Sequence, residues 1–275
     1  MPVIAMTREM GSLGKDVALG LAEALDLAIV HHEVVEHHLA DKVHLSASAV
    51  HRFLEGGSGI LERWKVRRRW TALYTAEEIC ELAASGNVVI RGWGATHVLR
   101  PVPHVVCARV CAPLDFRTRV LMQRLGIDDE SAARKEIERN DAAHARSILQ
   151  LFGADWQDPV LYDLVLNTER VPVEHCVEQI RRLVESAPFQ ETEASREVLA
   201  DVRLGAYVRA ALRECSETRS SDLIVDVAVS ARTGHVTLKG FAASDDLKVA
   251  AQRVVSDVSG VTSVSNQLVR MRIYD

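Results

Sequence analysis

The chain has 275 residues, long enough for two domains that each bury a core. Its 48% hydrophobic and 26% charged residues match an ordinary soluble globular protein. A net charge of −5 and an aromatic content of 5% give neither the positive field nor the stacking surfaces of a nucleic-acid binder, so no nucleic-acid partner is expected.

Five cysteines, Cys80, Cys107, Cys111, Cys176 and Cys215, are odd in number and match no zinc spacing. Cys107 and Cys111 lie in an apolar stretch and read as buried thiols of a reducing compartment. The N-terminus lacks the basic and apolar regions of a signal peptide, and no apolar run reaches the roughly 18 residues of a membrane helix. A cytoplasmic chain with no transmembrane segment is expected.

Val3–Thr7 reads as a buried strand and Asp16–Leu25 as a helix. Between them runs Arg8-Glu9-Met10-Gly11-Ser12-Leu13-Gly14-Lys15-Asp16. A strand, a glycine turn ending in Gly-Lys and a helix make a phosphate-binding device. Glycines let backbone N–H groups approach the anion, the helix N-terminus adds partial positive charge, and the lysine adds a full one. Gly11, Ser12, Leu13, Gly14, Lys15 and Asp16 are therefore the candidate nucleotide-binding residues. The pattern departs from a full P-loop twice: Glu9 stands where a glycine belongs, and Asp16 replaces the Ser or Thr that holds magnesium. Ser12 or Thr7 remains as a hydroxyl for Mg2+, and Asp16 reads as a helix-capping residue rather than a metal ligand.

Leu27–Val30 is the next strand, and His31–Leu39 and Ala47–Leu54 read as helices. Gly56-Gly57-Ser58-Gly59 breaks the chain. The densest basic run, Trp64 to Trp70, reads as a basic helix face. Thr75–Ser85 reads as a helix, and Val88–Arg91 and His104–Val110 as strands. Pro113 opens a helix to Leu125, and Asp128–Leu151 is helical and charged. Tyr162–Asn167 is a further strand and Val173–Glu185 a closing helix. Strands alternating with helices indicate an α/β layer fold with a parallel sheet. Residues 187–195, with Pro188 and several acids, read as a linker. Beyond it follow a helix (Leu199–Cys215), strands Leu223–Ser230 and Val236–Gly240, a helix (Asp245–Val258) and a last strand (Ser263–Arg270). Val225, Val227 and Val229 alternate with Asp226, Ala228 and Ser230, the pattern of a strand with one buried face. This tail is a small α+β unit.

The opening Arg8 to Lys15 resembles that of the cytidylate-kinase-like family. Further stretches resemble the same family in order: Asn87 to Gly94, Val110 to Arg119, Asp155 to Pro159, and Tyr162 to Thr168. The resemblance covers residues 1–186. It implies a P-loop nucleoside-monophosphate-kinase fold with a helical lid, ATP and Mg2+ as cofactors, and CMP or dCMP as acceptor. It further implies catalytic roles for Lys15, Arg139, Asp141 and Arg146, and acceptor binding by His31, Gly92, Trp93, Arg117 and Arg119. His31 stands where relatives often carry an acid, Trp93 where many carry arginine, and His144 where they usually have arginine. Trp93 stacks on a base or belongs to the core; for Arg124 a solvated helix face is the reading. Residues 196–275, through Gly234 to Gly240 and Gly260 to Asn266, resemble a BON domain, which implies a protein or phospholipid partner. Two functions lead. One is a nucleoside monophosphate kinase; the other is a catalytically weak or inactive nucleotide sensor whose bound state regulates BON-mediated binding. A phosphotransferase acting on another small acceptor is a third.

Overall fold

The computed structural model describes residues 1–30, 76–92, 94–219 and 223–271. The chain divides into two compact units, Met1–Ser195 and Arg196–Asp275. The expected helices over 31–54, the glycine break at 56–59 and the basic run at 64–70 lie outside the described residues, as do His31 and Trp93.

The first unit is a five-stranded parallel sheet. Its strands are β1 (Val3–Arg8), β2 (Ala28–Val30), β3 (Val88–Arg91), β4 (Val105–Cys111) and β5 (Leu164–Asn167), in the order β2-β3-β1-β4-β5. β1 is therefore central, paired with β3 from Val3↔Val88 to Met6↔Arg91 and with β4 from Val3↔Val105 to Arg8↔Val110. Its run Val3-Ile4-Ala5-Met6 is wholly buried because helices cover both faces of a parallel sheet. Helix α1 (Gly14–Leu25) follows β1, helix α2 spans 76–85, and the short α3 (Ala95–Val98) follows β3. Helices α4 (Leu114–Leu125) and α5 (Glu130–Phe152) follow β4, and α6 (Val173–Glu185) follows β5.

One core lies between the sheet and the pair α1 and α6. Val17, Ala18 and Leu21 of α1 meet Cys176, Val177, Ile180 and Val184 of α6 over Ile4, Met6, Val89 and Val110. The spacing of three to four residues on each helix sets this apolar stripe. A second cluster, Ile148, Trp156 and Tyr162, is joined by Phe152 at the end of α5. Tyr162 lies before β5 rather than in it, and its hydroxyl donates to the Trp156 carbonyl at 2.7 Å.

The stretch expected as a linker carries regular structure. Ala187–Phe189 forms a 3-10 turn, Phe189 packs on the first core, and Gln190 donates to the Val184 carbonyl at 3.0 Å. Thr192 and Ser195 cap helix α7 (Glu193–Glu214) reciprocally: the Thr192 N–H donates to Ser195 Oγ at 2.9 Å and the Ser195 N–H to Thr192 Oγ1 at 3.1 Å. The helix thus begins six residues before the expected Leu199, because the Thr-x-x-Ser box starts it.

The second unit is built on a three-stranded sheet, β6 (Leu223–Ser230), β7 (His235–Ala242) and β8 (Ser263–Arg270). β6 and β7 form an antiparallel hairpin, and β8 adds parallel to β7. Helices α7 and α8 (Asp245–Ser256) supply Leu204, Val208, Leu212, Ala251 and Val255 to its core. The alternation in β6 is realised: Val227 is buried, while Ile224, Asp226 and Ala228 are exposed. No helix among the described residues is long and apolar enough to cross a membrane. None of the five cysteines forms a disulfide; Cys107 is buried and Cys111 only partly so.

Candidate functional site

The glycine turn sits at the carboxyl end of central strand β1, where α/β sheets place their ligands. Gly11 has φ +78°, and a Cβ there would come within 2.5 Å of the Arg117 carbonyl oxygen. Only glycine fits, because the loop backbone runs directly against the first turn of α4. Gly14 is a packing glycine: a Cβ would meet the Arg8 Cβ at 2.6 Å. Leu13 caps α1 in the left-handed region, φ 57°, with no side-chain cap. That conformation costs a non-glycine residue about 1–2 kcal/mol, and such strain concentrates at ligand-binding turns. The Ser12 carbonyl accepts from Thr168 Oγ1 at 2.7 Å, which ties the loop to the end of β5. Lys15 stands exposed in the first turn of α1, available to an anion at the helix N-terminus.

Glu9 turns the missing glycine of the loop into a structural element. Thr7 and Arg109 are register partners, and Glu9 lies two residues beyond Thr7, on the same face of the sheet. Arg109 Nη2 donates to Glu9 Oε1 at 2.7 Å, and the Ala112 N–H donates to Glu9 Oε2 at 3.1 Å. Arg117 Nε lies 3.4 Å from Glu9 Oε2. Arg109 also donates to the Trp156 carbonyl at 3.1 Å and lies over the Trp156 ring at 5.0 Å. Glu9, Arg109 and Arg117 are all buried, so this is a charge network whose members cannot be removed singly.

The hydroxyls considered for magnesium are already engaged. Ser12 is buried, and its Oγ lies 2.8 Å from the Glu9 carbonyl and 3.1 Å from the Val110 carbonyl, to which it donates. Thr7 Oγ1 accepts from Trp156 Nε1 at 2.9 Å. Asp16 neither caps α1 nor stands free: it is ion-paired with Arg124 of α4. Arg124 is therefore not simply a solvated helix residue. None of the five described strands of the first unit ends in a carboxylate, and no group of three His, Cys, Asp or Glu that could hold a metal occurs among the described residues. These residues do not fit a magnesium ion at the loop; the Ser12 hydroxyl in particular is buried against two backbone carbonyls.

The structure rearranges the expected lid residues. Asp141 points to Arg117, whose Nη1 donates to Asp141 Oδ2 at 2.7 Å. Arg117 Nε donates to the Ala112 carbonyl at 2.9 Å. Arg117, expected at the acceptor, is thus committed to joining loop, α4 and α5. Burial raises the Asp141 pKa, and the Arg117 hydrogen bond opposes that rise. Arg139 is 75% exposed and pairs with Glu136 at 2.6 Å; Arg146 is exposed and donates to the Ala142 carbonyl at 3.1 Å. Neither joins Asp141, because offsets of two and five residues turn a helix by roughly 200° and 140°. His144, three residues on, does share the Asp141 face. It packs on Trp156 with ring centroids 4.4 Å apart. Burial, then Arg8, His97 and Arg109, lower its pKa to about 4, so it is neutral at pH 7. Arg119 is exposed, and Gly92 donates its N–H to the Met6 carbonyl at 2.8 Å beside the loop.

Glu9, Arg109, Trp156 and Arg91 matter to the site although sequence reasoning assigned them no role there. Arg109 carried a signal: a lone arginine inside the apolar run of β4 needs a buried acid. Arg91, the last residue of β3, is buried, and its Nε and Nη1 have no hydrogen-bond partner among the described residues.

A glycine loop at the carboxyl end of the central strand of a parallel sheet, leading into a helix with lysine in its first turn, defines a P-loop kinase-type domain. The comparisons agree on a finer class. Residues 3–170 match the cytidylate kinase-like family and residues 206–270 the BON domain. The chain belongs to the cytidylate kinase-like family and carries a C-terminal BON domain. It is 27% identical over 180 residues to a cytidylate kinase of Pyrobaculum neutrophilum, covering 64% of this chain and 89% of that protein. It is 29% identical over 184 residues to a cytidylate kinase of Ignicoccus hospitalis, covering 67% and 99%. Among solved structures, an uncharacterized protein from Eubacterium ventriosum ATCC 27560 shares the fold. That match has a TM-score of 0.54 and 22% identity, over 68% of this chain and 99% of the other.

Proposed function

We propose that the first unit binds ATP at Gly11–Lys15 and transfers its terminal phosphoryl group to a nucleoside monophosphate, CMP or dCMP. The observation that carries the reading is the loop itself, shaped by the left-handed Leu13 and by Gly11 lying against α4, with Lys15 exposed at its end. Kinship with archaeal cytidylate kinases supports the acceptor class. In this reading Lys15 and the α1 N-terminus hold donor phosphates. The α4–α5 segment is the lid, and Arg139 and Arg146 reach the transferring group only after α5 moves. The test is ADP formation from ATP with each common nucleoside monophosphate. Turnover with CMP or dCMP above the others is expected; no turnover with any of them contradicts the kinase reading.

A second reading, a nucleotide sensor, is favoured by two observations: the hydroxyls fit for a metal are engaged, and a neutral His144 packs on Trp156 in the lid. In either case the BON domain is proposed to dock a protein or a phospholipid surface. Supporting this, Ile224, Phe241 and Val269 are exposed and lie side by side on adjacent strands. A cytoplasmic location belongs to the same proposal.

A further inference from the structure

The most unusual charge in the first unit is Arg91. It ends β3, is 7% exposed, and has Nε and Nη1 without hydrogen-bond partners among the described residues. Burial lowers its pKa, and no carboxylate among the described residues acts on it. A buried guanidinium without an anion is strongly unfavourable, so such a group marks a place for an anionic ligand or an ordered water network.

Its position identifies the ligand. Arg91 is the register partner of Met6, and Val89 that of Ile4, so all four side chains share one face of the sheet. Met6, Ile4 and Val89 of that face pack under α1, through Val17, Ala18 and Leu21. Arg91 therefore lies on the α1 side, at the carboxyl end of the strand next to the phosphate loop. The Gly92 N–H, which follows it, donates to the Met6 carbonyl at 2.8 Å and holds the two strand ends together. P-loop proteins commonly place a magnesium ion here, held by a hydroxyl after the lysine and by an acid. This chain has Asp16 after the lysine, paired with Arg124, and no strand-end carboxylate among the described residues.

We infer that this chain binds the polyphosphate of its nucleotide without a divalent cation, the buried Arg91 guanidinium supplying positive charge where other P-loop proteins use the metal. The inference rests on the reading that the loop holds a nucleotide. An arginine suits this work because its planar donors match phosphate oxygens and its charge is retained in a buried setting.

The test is calorimetric titration of the full chain with ATP, once in EDTA and once in excess MgCl2. The two affinities should agree within about threefold; a gain above about tenfold with magnesium would overturn the inference, since tenfold is one full step in binding free energy. Arg91→Met should weaken ATP binding in EDTA by about tenfold or more, as a charge-assisted phosphate contact is lost. It should also melt no lower than the parent in the absence of nucleotide, because a buried unpaired charge is replaced by an apolar group. Wild-type affinity in that variant, or its failure to fold, would show that Arg91 has another, structural partner and would overturn the assignment. Absence of ATP binding by the parent in both buffers would instead remove the nucleotide site itself.

Discussion

Glu9 and Arg109 meet at 2.7 Å at the buried base of the phosphate loop, one just after the central strand and the other inside its neighbour. The pair explains why a carboxylate stands at a position where glycine is usual. It compensates an arginine that β4 would otherwise bury alone. Glu9→Gly, which brings the loop nearer to the common P-loop pattern, should therefore destabilise the fold by about 3–5 kcal/mol. Denaturant unfolding measures it. Adding Arg109→Met should recover much of the loss, and a double variant no better than the single one would refute the pairing argument.

A half-buried histidine of α5 makes stability depend on pH. His144 has a folded pKa lowered to about 4, whereas an unfolded histidine titrates near 6.5. Between these values the unfolded chain binds the extra proton, so stability falls as pH falls from about 6.5 to about 4. The contribution is on the order of 2 kcal/mol after allowance for partial exposure. Thermal melts across this window should show a steeper decline for the parent than for His144→Gln.

Asp16 and Arg124 form an exposed ion pair beside the loop, and exposed pairs stabilise by at most about 1 kcal/mol. Asp16→Ser should thus shift the melting temperature little. It removes a negative charge next to the proposed phosphate site and supplies the missing hydroxyl. ATP affinity should rise, and it should become magnesium-dependent. An unchanged affinity in both buffers would show that residue 16 does not face the nucleotide.

The junction between the units belongs structurally to the first. Phe189 packs on its core and Gln190 bonds to the end of α6. A fragment of residues 1–192 should therefore be more stable than one of 1–186, by about 1–2 kcal/mol from the partial burial of one aromatic side chain. Urea unfolding of the two fragments decides it; equal midpoints would mean the 187–192 stretch contributes nothing.

What the sequence revealed followed from local patterns. The run Val3 to Met6, the helix Val173–Glu185 and the alternation in β6 are each written in neighbouring residues, and each formed where the pattern placed it. The site was less legible because its contacts are distant in sequence. Glu9 and Arg109 are separated by a hundred residues, and Arg117 finds Asp141 across two helices. Arg139, Asp141 and Arg146 look like a cluster in one dimension, but helical rotation sends them to different faces. The capping pair Thr192 and Ser195 was visible in sequence, yet the acidic, proline-containing stretch around it masked the signal.

The central claim is that Gly11–Lys15 is a nucleotide phosphate site, and Lys15→Ala tests it most directly. Lys15 is exposed and makes no ion pair among the described residues, so its loss leaves the fold intact. Calorimetric titration with ATP should show affinity reduced by about tenfold to a hundredfold, the loss of one charge-assisted phosphate contact. Affinity equal to that of the parent would contradict the account.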